Sequence, residues 1–114
     1  MTEREQQSLF VTLVARLIEW ATASGYELTF GEAWRSDATA ELDAESGVGI
    51  VNSLHRLRLA VDLNLFRDGE LLGTVEDYHP LGDYWCSLHP LARWGGNFTK
   101  PDADHFSLEW NGVQ

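Results

Sequence analysis

From about Glu3 to Ser24, apolar residues recur at Leu9, Phe10, Leu13, Val14, Leu17, Ile18 and Ala21. This i, i+3, i+4, i+7 spacing lays one apolar stripe along an α-helix, and Gly25 is placed to end it. Tyr26, Leu28 and Phe30 then alternate with Glu27 and Thr29, which predicts a strand running toward Trp34 and Arg35. Ser36 to Gly49 is polar and reads as either a short helix or a loop. A second alternation, over Leu59 to Phe66, puts Val61, Leu63 and Leu65 on one face of a strand and Ala60, Asp62 and Asn64 on the other. Asp68-Gly69 predicts a hairpin turn, with Glu70 to Leu72 beginning the return strand. Pro80 suits the first position of a helix over Leu81 to Leu88, and Trp94-Gly-Gly96 reads as a glycine-broken connection. A last strand runs from His105 to Trp110, with His105, Ser107 and Glu109 on one face and Phe106, Leu108 and Trp110 on the other. The sum predicts an α+β fold: a single domain, residues 1–114, with a small antiparallel sheet and flanking helices.

Composition narrows the function classes. A chain of 114 residues and 12.9 kDa should expose roughly 6,300 Å² when folded, about a third of the surface of its unfolded state. Charged residues make up 23% and apolar residues 44%, a balance that supports a packed core. The net charge of −10 repels phosphate backbones and anionic lipid, which argues against nucleic-acid and membrane-surface partners. Cys86 is the single cysteine, so an intramolecular disulfide and a thiolate-rich zinc site are both excluded; it is read as a small buried hydrophobe. No stretch reaches 18 apolar residues, and the polar N-terminal sequence lacks the apolar run of a signal peptide. The expectation is a protein made in a cytoplasm and not inserted in a membrane. Of the five tryptophans, Trp85 and Trp94 are read as core.

The chemistry is concentrated in a few positions. His55 lies seven residues before Asp62. On one helix that spacing separates the two by about 10 Å along the axis, and on one strand it puts them on opposite faces. A joint role therefore needs a turn between them, and Arg56-Leu57-Arg58 is the segment available. Asp62 itself is out of place in a strand rich in Val, Leu and Phe. A carboxylate there needs compensation by a cation, either a metal or an arginine such as Arg35 or Arg58. His105 opens a strand whose other face is strongly apolar. Two histidines and a carboxylate form a ligand set that leaves a fourth position on zinc for water. Asp102 and Asp104 both stand near His105 as candidate bases; strand parity favours neither, and Pro101 bends the approach. His79 and His89 each precede proline and read as loop residues.

Ser53-x-His55, Ala60-x-Asp62 and Asp102-x-x-His105-Phe106, taken in order, resemble the zinc D-alanyl-D-alanine carboxypeptidase family, which includes the L-alanyl-D-glutamate peptidases of phage endolysins. The likeness runs from about Tyr26 to Phe106. It includes Trp34-Arg35-Ser36, Leu81-Gly-x-x-Trp85 and Trp94-Gly-Gly-x-Phe98. The resemblance implies that His55, Asp62 and His105 are zinc ligands and that Asp102 is the catalytic base. Arg35 would hold the substrate oxyanion or a substrate carboxylate, and Ser53 would hydrogen-bond near the site. The chain departs from the pattern at Arg58, where many members carry glycine, at Asp104, where several carry proline, and at Ser107, where they carry glutamate.

The function this implies is a zinc metallopeptidase that cuts a stem-peptide bond of bacterial peptidoglycan. The L-alanyl-D-glutamate bond is the first choice, for an endolysin acting as a monomer on the wall after its release from the cytoplasm. The alternatives are a D-alanyl-D-alanine carboxypeptidase and a non-catalytic, zinc-stabilised wall or virion binding module. A metal-free structural protein is the remaining reading.

Overall fold

The structure, a computed structural model, describes residues 1–34, 36 and 53–114. Arg35 and the polar stretch after Ser36 therefore lie outside the described residues.

The first helix, α1 (Glu3–Ala23), begins at a capping box. Thr2 accepts from the Glu5 N–H while the Glu5 carboxylate accepts from the Thr2 N–H, which satisfies two otherwise orphaned donors. Its apolar stripe buries Phe10, Leu13, Leu17 and Ala21. Gly25, at φ +91°, then takes the left-handed turn that ends the helix.

Five strands form one antiparallel sheet. Strands β1 (Glu27–Phe30), β2 (Ala60–Arg67), β5 (His105–Leu108) and β4 (Ala92–Trp94) lie in the order β1-β2-β5-β4, and β3 (Glu70–Leu72) pairs with the far end of β2. Asp68 and Gly69 both have positive φ, 53° and 80°, so the predicted β2–β3 hairpin closes through a two-residue primed turn. Val61, Leu63 and Leu65 are buried under the helices, as the alternation required. Tyr78 fixes β2 from the helical side, its hydroxyl donating to the Leu63 carbonyl at 2.6 Å.

The second helix, α2 (Val75–Leu88), starts six residues earlier than the proline rule predicted. Thr74 and Asp77 form a second capping box, and that signal overrides Pro80, which sits inside the helix on its exposed side. His79 is accordingly helical rather than a loop residue, and its Nδ1 lies 3.1 Å from Asp83. His89 caps the helix, and its Nδ1 accepts from the Leu91 N–H. Strand β4, three residues long, was too short to stand out in the sequence.

Trp85 and Trp94 are fully buried, and both do positional work for the sheet. The Trp85 Nε1–H is shared between the carbonyls of Arg93 and Ser107, tying α2 to β4 and β5. The Trp94 ring lies flat on Gly82, where an added Cβ would stand 2.2 Å from it. Cys86 is half-buried, and burial pushes its thiol pKa up. The exposed surface is 6543 Å², close to the expectation from mass. Among the described residues, no helix is long and apolar enough to cross a membrane.

Candidate metal centre

Asp62 and His105 are direct cross-strand partners between β2 and β5. The ladder bonds run from the Leu63 N–H to the Asp104 carbonyl and from the Leu108 N–H to the Leu59 carbonyl. Asp62–His105 therefore falls at a non-hydrogen-bonded pair, where facing side chains stand closest. The Asp62 Oδ1 to His105 Nδ1 distance is 3.8 Å.

His55 arrives on a 3-10 turn, Leu54–Leu57, between Ser53 and Arg58. Leu54 and Leu59, both fully buried, anchor its two ends in the core, and the Gln7 side chain of α1 donates to the Leu57 carbonyl. Arg58 closes the turn in the left-handed region, φ 58° and ψ 33°. This is the backbone that favours glycine at that position. Its guanidinium lies over the Trp34 ring rather than on Asp62. The turn sets His55 Nε2 3.2 Å from Asp62 Oδ1. Ser53 is buried, and its hydroxyl oxygen accepts from the His55 N–H.

Asp102 and Asp104 reach the same place through a turn, so strand parity does not govern them. Gly95 accepts from the Asp102 N–H, and a Cβ there would stand 2.0 Å from the Asp102 carbonyl oxygen. The Trp94 Nε1–H donates to the Ala103 carbonyl at 2.7 Å. The Trp94-Gly95 pair thus pins the acidic loop against β5. Asp102 is mostly exposed, with Oδ2 3.9 Å from His105 Nδ1. Asp104 is more enclosed. Burial first, then a hydrogen bond with Asp102 and the charges of Asp62 and Asp102, hold its carboxyl well above the usual carboxylate range.

The electrostatics leave one clear deficit. Among the described residues, neither the buried Asp62 Oδ1 nor the buried His55 Nδ1 has a hydrogen-bond partner. Burial lowers the pKa of His105 and so favours its neutral ring. A neutral imidazole does not balance a buried carboxylate, and a divalent cation would. His55, Asp62 and His105 offer ligand atoms that all lie within 4.8 Å of one another. Tetrahedral donors about 2.0–2.1 Å from a zinc ion stand about 3.3–3.4 Å apart, and the measured 3.2 and 3.8 Å lie on either side of that. Two imidazoles and a carboxylate, with no sulfur, are also a donor set that zinc accepts. Asp62, Asp102 and Asp104 form a second close group of carboxylates that shares Asp62 with the first.

No protein-family model matches the chain, and no curated protein matches it. Among solved structures, it superposes on the crystal structure of the Serratia marcescens L-Ala D-Glu endopeptidase ChiX with a TM-score of 0.72. The two are 20% identical, and the match covers 88% of this chain and 77% of that one. The chain shares the fold of that structure.

Within this fold the structure brings five of the sequence-predicted positions to one place: Ser53, His55, Asp62, Asp102 and His105. Arg35 lies outside the described residues. Two neighbours had no site role in the sequence reading, where Phe98 entered only through the Trp94-Gly-Gly-x-Phe98 likeness and Gly31 not at all. Phe98 walls the site, its ring centroid 5.3 Å from that of His105. Gly31 faces Asp62 from the β1 side, where an added Cβ would stand 3.2 Å from the Asp62 Cβ. Both placements are products of strand register and loop closure, which local patterning does not carry.

Proposed function

We propose that this chain is a zinc peptidase that cleaves a stem-peptide bond of bacterial peptidoglycan, the L-alanyl-D-glutamate bond first. The observation that carries the reading is the convergence of His55 Nε2 and His105 Nδ1 on Asp62 Oδ1, a buried carboxylate oxygen that makes no hydrogen bond among the described residues. The peptidase-like fold supports the reaction class, and the solved endopeptidase of similar fold supports the choice of bond.

His55, Asp62 and His105 would hold the ion. Bound zinc supplies Lewis-acid polarisation of a carbonyl and a water acidic enough to react near neutral pH. Asp102 takes the proton from the attacking water and returns it to the leaving amine nitrogen. Its exposed carboxylate beside His105 suits a group that must meet both water and substrate. Asp104, enclosed and inclined to hold a proton, suits a support for Asp102 rather than the base. Arg35 is assigned to the oxyanion or a substrate carboxylate on the sequence resemblance. Ser53 contributes by setting the turn that carries His55.

The net charge of −10 gives no long-range attraction to anionic wall polymers, so recognition is local to the stem peptide. Action on the wall follows release from the cytoplasm, as a monomer.

Mass spectrometry of peptidoglycan digested by the zinc-loaded protein tests the proposal. New L-alanine carboxyl and D-glutamate amino termini are the expected products. Released D-alanine would instead indicate the carboxypeptidase, and wall fragments bound but never cut would indicate a binding module. Asp102→Asn should abolish release with zinc still bound, and Asp104→Asn should retain it. Undiminished cleavage by Asp102→Asn would remove Asp102 from the mechanism.

A further inference from the structure

The two histidines of the site differ on the side that faces away from Asp62. His105 turns Nδ1 toward Asp62 and Nε2 toward the main-chain oxygen of Gln114, 3.0 Å away. A carbonyl or carboxylate oxygen offers only lone pairs, so this contact is a hydrogen bond when Nε2 carries the proton. A neutral ring has one such proton, which leaves Nδ1 as a bare lone pair facing the site.

The Gln114 oxygen is itself held in place. Ser107, fully buried two residues along β5, donates its hydroxyl to the same oxygen at 2.8 Å. A short hairpin delivers that oxygen. Asn111 and Gly112 both take positive φ, 48° and 81°, the backbone of a two-residue primed turn. Trp110 and Val113 then exchange both backbone hydrogen bonds, at 3.0 and 2.9 Å. The next residue, Gln114, lands beside His105 and Ser107. The base of this hairpin is fastened to α1, where the buried Gln6 side chain donates to the Glu109 carbonyl at 2.7 Å. A polar contact chain thus runs from the first helix to the back of a site histidine.

Resting on the zinc-site reading above, we propose that the Gln114 main-chain oxygen is a positioning group, fixing His105 as the Nε2–H tautomer with its Nδ1 lone pair aimed at the centre shared with Asp62 and His55. The contact is made by main chain, so the side chain at 114 is immaterial and the Asn111-Gly112 turn is what matters. Support of this kind from behind a ligand fixes the ring and raises its basicity.

The test begins with the metal-free full chain. Two-bond proton–nitrogen NMR correlations of the His105 ring report which nitrogen carries the proton. The wild-type ring should show protonated Nε2 and bare Nδ1. Gln114→Ala keeps the main-chain oxygen and should keep both that spectrum and the zinc affinity. Deleting Val113 and Gln114 removes that oxygen. It should give a mixture of tautomers and weaken zinc about 10–100-fold, with the amide spectrum of the sheet preserved. An Nδ1–H ring in the wild-type protein, or an unchanged tautomer and zinc affinity in the deletion, would overturn the proposal. A wild-type protein with the Nε2–H ring that takes up no zinc would instead break the metal-site reading and leave the tautomer assignment standing.

Discussion

Asp62 and His105 meet because two strands are paired; His55 meets them because a turn is held open in an unusual backbone. The β2–β5 half is fixed by antiparallel register, with Tyr78 bonded to β2 from below and Gln114 bonded to His105 from behind. The turn half hangs from Leu54 and Leu59, ends in a left-handed arginine, and leaves His55 Nδ1 buried without a hydrogen-bond partner among the described residues. A site of this type can tolerate one half built from local compromise if the other is set by the sheet. The contrast locates rigidity in the strand pair and strain in the turn.

The largest expected effect comes from removing the ligand that both halves share. Asp62→Ala should weaken zinc more than about 100-fold, beyond the range for groups that only support ligands. His55→Ala should do the same if the turn half is a true partner. Competition with a chromogenic chelator measures both. A His55 variant that holds zinc as tightly as wild type would reduce the site to the strand pair.

The supports of the strand half come next. Gly82→Ala forces a Cβ into the Trp94 ring, and Gly95→Ala forces one into the Asp102 carbonyl. Each should cost about 1–3 kcal/mol in urea unfolding. Only Gly95→Ala should also displace Asp102, and so lower cleavage more than its stability loss explains.

Tyr78→Phe leaves the Leu63 carbonyl without its donor and should cost about 1–3 kcal/mol. Burial pushes the Tyr78 hydroxyl pKa up to about 12, from 10.0. Between those values the unfolded chain has lost this proton and the folded chain keeps it, so stability falls as pH rises through that window. Tyr78→Phe should remove that part of the decline.

The smallest effect probes the strain in the turn. Arg58→Gly relieves the left-handed backbone but gives up the contact with Trp34 and adds unfolded-state freedom, so its net change should stay within about 0.5 kcal/mol. Arg58→Val places a β-branched residue at φ 58° and should cost about 1–2 kcal/mol. Equal stability of the two variants would mean that the turn stores no strain.

The same contrast explains what could be seen in the sequence. Alternation in Leu59–Phe66 identified β2 and its most buried face, because period-two burial is local; in His105–Trp110 it identified β5, which ends at Leu108 and is buried on both faces, so that the alternation there did not mark an exposed side. The first alternation also marked Asp62 as a carboxylate that needs a cation. The placement of Asp62 opposite His105 is a matter of register, invisible until the strands pair. The need for a turn between His55 and Asp62 was legible from their spacing, but its form was not: the helical residues are Leu54–Leu57, with Arg58 left-handed. Parity failed for Asp102 because the chain before His105 is a turn held by Gly95 and Trp94. Helix α2 begins six residues before the span that Pro80 predicts, because the Thr74–Asp77 capping box starts it and Pro80 lies inside it.

The central claim is that three side chains, two from paired strands and one from a turn, surround one ion and leave a corner free. X-ray absorption at the zinc edge, on the protein loaded with one equivalent of zinc, addresses it most directly. One ion per chain, with two imidazole nitrogens and the remaining ligands oxygen, is the expected result. A sulfur ligand from Cys86, or a zinc ion with no imidazole scattering, would contradict it.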